Sequence, residues 1–386
     1  MKVQEVHVYV VDVGTFRPVI TELLTDVGIC GIGEGAVGFG VGCYAAAKMI
    51  EELAERFIVG KDPSSILSIW NDFYYDTFWG KGAGAIFYAA VSALEHALWD
   101  IKGKALGVPV YQLLGGKQRD AIPVYANGWS EGKCICAEDF AERAEGVVKK
   151  GFNALKMYPM SQIDNIRHLN KHIKNRNVTK QNFDCAVRAV ELVRKAIGPD
   201  RELLVDVTAE GTVDMMWRFG QAIEPYNIYW YEEAMDAFDV DAYKTIREKV
   251  NIPLATGERL YTRYGFRRLL ESRAVDIVQP DPGTCGGIME AFHIGAFAET
   301  YCARIAPHNC GGPVLTAAAL QVSACCGNLA MQEIFPFHVK EQYEIVEEAF
   351  EHKIHDGVID VPNEPGLGVT LNHGFVDRFQ VSRIAE

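Results

Sequence analysis

Three acidic residues recur at an even interval through the middle of this 386-residue chain. Asp206 closes the apolar run LLVD, Glu232 closes IYWYE and Glu258 closes LATGE, each 26 residues after the last. That interval is about one strand–helix unit. A single acid at a strand end is ordinarily a helix N-cap. Three in regular succession point to a shared task, because the C-terminal ends of parallel barrel strands converge on one mouth. Left alone, such carboxylates repel and raise one another's pKa. A hard divalent cation removes the conflict, and three carboxylates with water and substrate oxygens suit Mg²⁺.

The next two runs continue the series with a different chemistry. DIVQPD ends in Asp281 and RIAPH ends in His308. On adjacent strands they would place a carboxylate beside an imidazole, fixing its tautomer and freeing the other ring nitrogen for proton transfer. Lys156 and Tyr158, in ALKMYP, fall on one face of a strand by alternation. Lys156 is expected beside the metal and a substrate carboxylate. Tyr158 is expected to donate to the substrate or exchange a proton with it, and as a base it would need its high reference pKa lowered. Glu333, in LAMQEIF, is a candidate to hydrogen-bond a developing enolate oxygen if protonated.

The elements that must position these residues have two textures. Residues 1 to about 60 read as strands and a turn followed by a helix: VHVYVVDV alternates, and PVITELLTDVGICGIGEG reads as a hairpin turning near Asp26–Gly28. The glycine-rich GEGAVGFGVG follows a hairpin rather than opening a helix in a βαβ unit, so it fits a loop over a cleft better than a phosphate cradle. Residues 44–120 read as mainly helical, with AAVSALEHALWDIKGKALG ending at Gly107. Trp70, Phe73, Tyr74, Phe78 and Trp79 in this region are expected mostly in the core, with one or two walling a pocket. From about 122 the chain alternates short apolar runs with helical stretches. The runs are 122–126, 154–158, 203–207, Ile228–Glu232, 254–258, 276–281, 304–308 and 330–334. Between the second and third, Ala186, Val187, Val190, Val193 and Ile197 form a helical stripe. Eight such units indicate a closed parallel barrel, with a doubly wound sheet as the alternative. The long polar segment 159–183 would then lie at the active face as a partial lid, or be a solvated insertion. Its His168 and His172 could share a helix face, with metal binding there the weaker reading.

Composition narrows the function. The net charge of −13 argues against nucleic acid, whose partner surfaces are basic. No apolar run reaches membrane-spanning length, and the N-terminus lacks a cleavable signal pattern, which together suggest a cytoplasmic protein. The ten cysteines are scattered with no CxxC pair, as expected for free thiols in a reducing compartment.

With these residues in place, the chain resembles the enolase superfamily in its mandelate racemase-like subgroup. The carriers are TDVGICGIGEG, SALEHALWDIKGKALGVPVYQLLGG, GFNALKMY, LLVDV, YWYEEA, ATGER, VQPDPGTCGGI, APHNCGGP and PGLGV, spread over essentially the whole chain. The resemblance implies an α/β fold, a modified TIM barrel (β/α)₇β over residues 122–359. It also implies an α+β capping domain over 1–121, completed by 360–386. It implies one Mg²⁺ on Asp206, Glu232 and Glu258, and an Asp281–His308 dyad for proton transfer. Departures guide the subgroup. Lys156-x-Tyr158 stands where racemases carry Lys-x-Lys, Asp281 where the muconate branch has a lysine, and Thr208 where one dehydratase group has a catalytic histidine. Glu232-Glu233-Ala234 stands for the usual Glu-Glu-Pro. The pattern is most similar to sugar-acid dehydratases of the galactonate and gluconate type. Such an enzyme removes the C2 proton of an aldonate and expels the 3-OH to give a 2-keto-3-deoxy acid, with His308 available as both base and acid. Lys156, Tyr158, His308 and Glu333 would contact the substrate. The alternatives are a racemase, epimerase or cycloisomerase, and a catalytically inactive sugar-acid binding protein. The partners expected are the sugar acid and further copies of the chain, with no nucleic acid and no membrane.

Overall fold

A computed structural model describes residues 1–14, 16–130, 134, 136–160 and 178–385. Most of the segment read as a lid, with His168 and His172, lies outside the described residues.

The N-terminal alternation forms strands β1 (Val3–Val10), β2 (Val19–Thr25) and β3 (Cys30–Gly35), which pair antiparallel in that order. Gly28, at φ 79°, turns the hairpin between β2 and β3, within the Asp26–Gly28 turn expected. The C-terminal strand Gln380–Ala385 adds to the outer edge of β1, so both chain ends build one sheet. Against β3 lies the helix Ala85–Leu106, which ends at Gly107 with φ 69°. Gly31 and Gly33 face it, and a Cβ at either would strike the carbonyl of Ala97 or Ala93, so glycine lets helix and strand close up. Trp70 and Phe73 are core residues as expected, but Phe78 and Trp79 are 78% and 74% exposed. They follow the π-helical turn Asp72–Asp76, which carries them off the buried stripe.

Among the described residues the second unit has eight parallel strands: β4 (Ala121–Ala126), β5 (Ala154–Met157), β6 (Glu202–Asp206), β7 (Ile228–Glu232), β8 (Leu254–Thr256), β9 (Ile277–Val278), β10 (Arg304–Ile305) and β11 (Gln332–Ile334). Each pairs with the next from β4 to β10, and β11 pairs with β4. Between β10 and β11 the ring closes through Ile305, whose N–H donates to Asn328 O at 3.1 Å and whose carbonyl accepts from Ala330 N at 2.8 Å. The barrel is plugged by Tyr125, Ala154, Leu204, Trp230, Ala255, Ile277 and Ala306. Its interior is therefore a packed core whose chemistry must sit at a mouth.

Helices follow the first seven of these strands, from Ala137–Lys149 to Pro313–Cys325. After β11 only the short helix Lys340–Tyr343 and the 3-10 turn Phe350–His352 intervene before Val358–Asp360 returns antiparallel to β4. The eight strand–helix units read from the pattern are therefore corrected to the (β/α)₇β arrangement the resemblance implied. No helix among the described residues is long and apolar enough to cross a membrane. All ten cysteines are free, and five of them are buried.

Two buried glutamates join the antiparallel unit to the barrel. Glu34, at the end of β3, accepts from Gly312 N at 2.5 Å and Leu315 N at 2.9 Å, at the start of the helix Pro313–Cys325. Glu95 accepts from Ile288 N at 2.8 Å and Met289 N at 3.0 Å, at the start of the helix Ile288–Glu299. Each carboxyl satisfies amides that have no partner inside their own helix. Burial pushes Glu34 up to about 8 and Glu95 up to about 7, against the pull of those amides. Ala36, opening the glycine-rich loop, donates to Gly283 O at 3.0 Å. These contacts fall on the loops after β9 and β10, at the C-terminal mouth of the barrel.

Candidate active site

The strand pairing explains how distant acids meet. Asp206 and Glu232 are register partners at the ends of β6 and β7, and Glu258 follows β8 by two residues. One oxygen from each lies within 4.8 Å of the others. Asp281 and His308 come three residues after β9 and β10, later than the apolar runs suggested. The backbone bonds between these strands run on past their ends, with Ala306 N donating to Val278 O at 3.0 Å and His308 N to Pro280 O at 3.1 Å, and so carry both side chains to the rim.

Burial and the charges of Glu232 and Glu258 push Asp206 well above the usual carboxylate range, with Lys156 acting in the opposite sense. Three hard oxygen donors crowded at the end of adjacent strands are the set a divalent cation relieves, so these residues fit Mg²⁺. Each acid is also fixed from outside. Asp206 accepts from Thr208 N at 2.7 Å, Glu232 from Trp230 Nε1 at 2.8 Å, and Glu258 lies 3.3 Å from Arg259 Nη2. Thr208, Ala209 and Glu233 hold φ of 51°, 57° and 47°, so the turns leaving β6 and β7 carry backbone strain beside the carboxylates.

Lys156 is fully buried and lies 2.5 Å from Glu232, 2.7 Å from Glu333 and 3.7 Å from Asp206. Burial opposes its charge, yet Glu232 and Glu333 outweigh that and keep it an ammonium. Tyr158 lies beyond the end of β5 and accepts from Asn127 Nδ2 at 2.7 Å. Burial drives its hydroxyl well above the usual value despite Lys156, so it stays a neutral phenol. Burial would raise Glu333, but Lys156 and His308 hold it down at about 2. Here it accepts hydrogen bonds from Asn127 Nδ2 at 2.6 Å and Asn309 N at 2.8 Å.

His308 Nδ1 lies 2.7 Å from Asp281 Oδ2, and Gly283 N donates to the other Asp281 oxygen at 2.7 Å. Burial raises Asp281, with the His308 hydrogen bond pulling it down. His308 Nε2 faces Glu258 Oε2 at 3.2 Å. Burial opposes its charge, but Cys310, Glu333, Glu258 and the bond to Asp281 raise it well above the usual imidazole value. Burial holds the Cys310 thiol up at about 12, so near neutral pH it is uncharged and the carboxylates carry the effect. A cavity of about 450 Å³ is lined in part by Gly128, next to Asn127, and by none of these acids.

Residues 2–115 match the mandelate racemase / muconate lactonizing enzyme N-terminal domain, and residues 139–374 match the enolase C-terminal domain-like family. The chain belongs to the enolase superfamily. Within that superfamily it is 33% identical to D-galactonate dehydratase of Variovorax paradoxus over 96% of this chain and 92% of that protein. It is 31% identical to D-gluconate dehydratase of Thermoproteus tenax over 84% of this chain, but only 63% of that relative's length. A candidate dehydratase from Mesorhizobium loti, solved as a crystal structure, is 42% identical over the whole of both chains, with a TM-score of 0.94.

Sequence reading missed three neighbours of these residues. Asn127 follows β4 and joins Tyr158 to Glu333. Arg259, beside Glu258, lies 3.2 Å from Glu233. Cys310 lies 3.2 Å from His308 Nε2. Asn127 sits one residue past an apolar run, the signal used for Asp206, but an amide at a strand end is too common a turn residue to stand out.

Proposed function

We propose that this enolase-superfamily chain dehydrates an aldonic acid with the help of one Mg²⁺, giving a 2-keto-3-deoxy acid. The observation that carries the reading is the convergence of Lys156 and the Asp281–His308 pair on the cluster of Asp206, Glu232 and Glu258. Those three acids would hold the Mg²⁺, which when bound supplies positive charge toward the substrate carboxylate as negative charge builds there. Lys156 adds a fixed ammonium on the same side, already desolvated and held by acceptors. With Nδ1 engaged by Asp281, His308 takes the C2 proton at Nε2 and then returns it to the departing 3-OH, so that water leaves and the enol tautomerises. The carboxylates around His308 favour the imidazolium, the form that protonates the leaving group. The neutral base is favoured once positive charge sits among the three acids.

Tyr158, Glu333 and Asn127 are proposed as polar groups that position the substrate. The chain's nearness to two named sugar-acid dehydratases supports the class of substrate. A racemase needs a base on each face, and neither a phenol driven upward by burial nor a lysine held by three acids suits the second role. Residues 1–121 with 360–386 are proposed as the cap and 122–359 as the catalytic barrel. The chain is further proposed to act in the cytoplasm as a homo-oligomer.

The test is a screen of aldonic and aldaric acids with Mg²⁺ for 2-keto-3-deoxy products, repeated with His308→Asn and Tyr158→Phe. His308→Asn should lose dehydration, because one substitution removes both proton roles, each worth roughly 10²–10⁴-fold. Tyr158→Phe should keep exchange of the C2 hydrogen with D₂O wherever wild type shows it. Dehydration surviving in His308→Asn would overturn the assignment, and no turnover of any acid would favour an inactive binding protein.

A further inference from the structure

A second set of donor atoms meets at the mouth, and it differs in kind from the oxygen-only acids. His308 Nε2 lies 3.2 Å from Cys310 Sγ and 3.8 Å from Glu333 Oε2, and one donor atom from each of the three is within 4.8 Å of the others. In tetrahedral zinc sites, with bonds of about 2.0–2.3 Å, ligand atoms stand roughly 3.3–3.6 Å apart, so the trio is close to that spacing before any metal enters. The ring is oriented for the task. Asp281 holds Nδ1 at 2.7 Å and leaves Nε2 free toward the thiol, the carboxylate–histidine arrangement that supports metal ligands. The loop bearing Cys310 is pinned on both sides, by Asn309 N on Glu333 and by Gly312 N on Glu34. Glu258 Oε2, 3.2 Å from Nε2, is within reach as a fourth donor.

We propose that His308, Cys310 and Glu333 form a second metal site that takes a thiophilic divalent cation, Zn²⁺ foremost, and that its occupation switches the enzyme off by claiming His308 Nε2. A nitrogen, a sulfur and a carboxylate select Zn²⁺ over Mg²⁺, whereas three carboxylates suit the harder ion. With His308 neutral, binding replaces the Cys310 S–H bond by a sulfur–zinc bond and releases one proton; from the imidazolium, Nε2 releases a second, and in neither case does an oxidation state change. The metal site stands on geometry alone; the loss of activity rests on His308 as the proton carrier.

The probe is Co²⁺ added to protein saturated with Mg²⁺, read by the near-ultraviolet thiolate-to-cobalt charge-transfer band. Wild type should develop the band at about one Co²⁺ per chain, and Cys310→Ser should lack it. In the activity arm, Zn²⁺ should inhibit wild type. Read as a fraction of its own rate without Zn²⁺, Cys310→Ser should need roughly 100-fold more Zn²⁺ for the same inhibition, since removing a direct ligand should cost at least as much as removing its support. Circular dichroism and a thermal melt confirm folding, with Cys310→Ala as the second variant. No cobalt–thiolate band in wild type, or the same band in Cys310→Ser, overturns the site; the exposed Cys136 and Cys302 would then be the thiols responsible. Zinc sensitivity unchanged by Cys310→Ser overturns the inhibitory role. A Cys310-dependent band in a chain that turns over no acid would sink the dehydratase and leave the metal site standing.

Discussion

Replacing Glu34 by alanine probes how the antiparallel unit fixes the proton-transfer loop. The Glu34 carboxyl is fully buried and accepts from Gly312 N and Leu315 N, both at the start of the helix that follows His308. Alanine leaves two amides without partners where water has little access. Each orphaned donor costs about 1–2 kcal/mol, so Glu34→Ala should lose about 2–4 kcal/mol of stability, less whatever an entering water restores. Glu34→Gln keeps one acceptor oxygen but turns an NH₂ toward the other amide, and should lose about half as much. The assay is urea unfolding at pH 6, with the shift read at unchanged slope. Activity should fall in the same order, because residues 309–312 form the connection between His308 and that helix. Glu34→Ala unfolding within about 0.5 kcal/mol of wild type would refute the reasoning, since it would mean those amides are already solvated.

Glu34 and Glu95 also set a pH dependence. Burial lifts both folded-state values above the ordinary 4.5, to about 8 and about 7. Their contribution is therefore fully present below about pH 4.5 and is lost as pH rises through about 7–8. Wild type should weaken by a few kcal/mol between pH 6 and 9, and Glu34→Gln should flatten part of that slope; a parallel decline in the variant would contradict it. For the cation, Glu232→Gln removes one of three oxygen donors and should abolish Mg²⁺-dependent turnover while the far-ultraviolet spectrum is retained. Isothermal titration with Mg²⁺ should show weakened binding, and full activity in that variant or in chelator would sink the assignment of these three acids.

Sequence spacing alone made the barrel and its acids legible. Asp206, Glu232 and Glu258 stand one strand–helix unit apart, and parallel strands in succession bring such positions to one mouth whatever the details of packing. The same logic paired Asp281 with His308 across neighbouring strands, and the Asp26–Gly28 turn set the hairpin locally. What the spacing could not carry was decided by contacts between distant segments. The last unit lacks its helix because the chain leaves β11 to return along β4 and reach the antiparallel sheet, a choice no local periodicity encodes. The setting of Glu333 could not be read from its own strand, because Lys156 from the second strand and His308 from the seventh pull its carboxyl down against burial. Asn127 and Cys310 carried no distinctive pattern and matter only through what the closed barrel sets beside them. Glu34 and Glu95 read as ordinary acids in a strand and a helix, yet each meets helix-start amides some 190 or more residues away in sequence. Local patterning fixes where a side chain stands along its element. Charge state and partnership depend on low-dielectric neighbours that only the folded chain assembles.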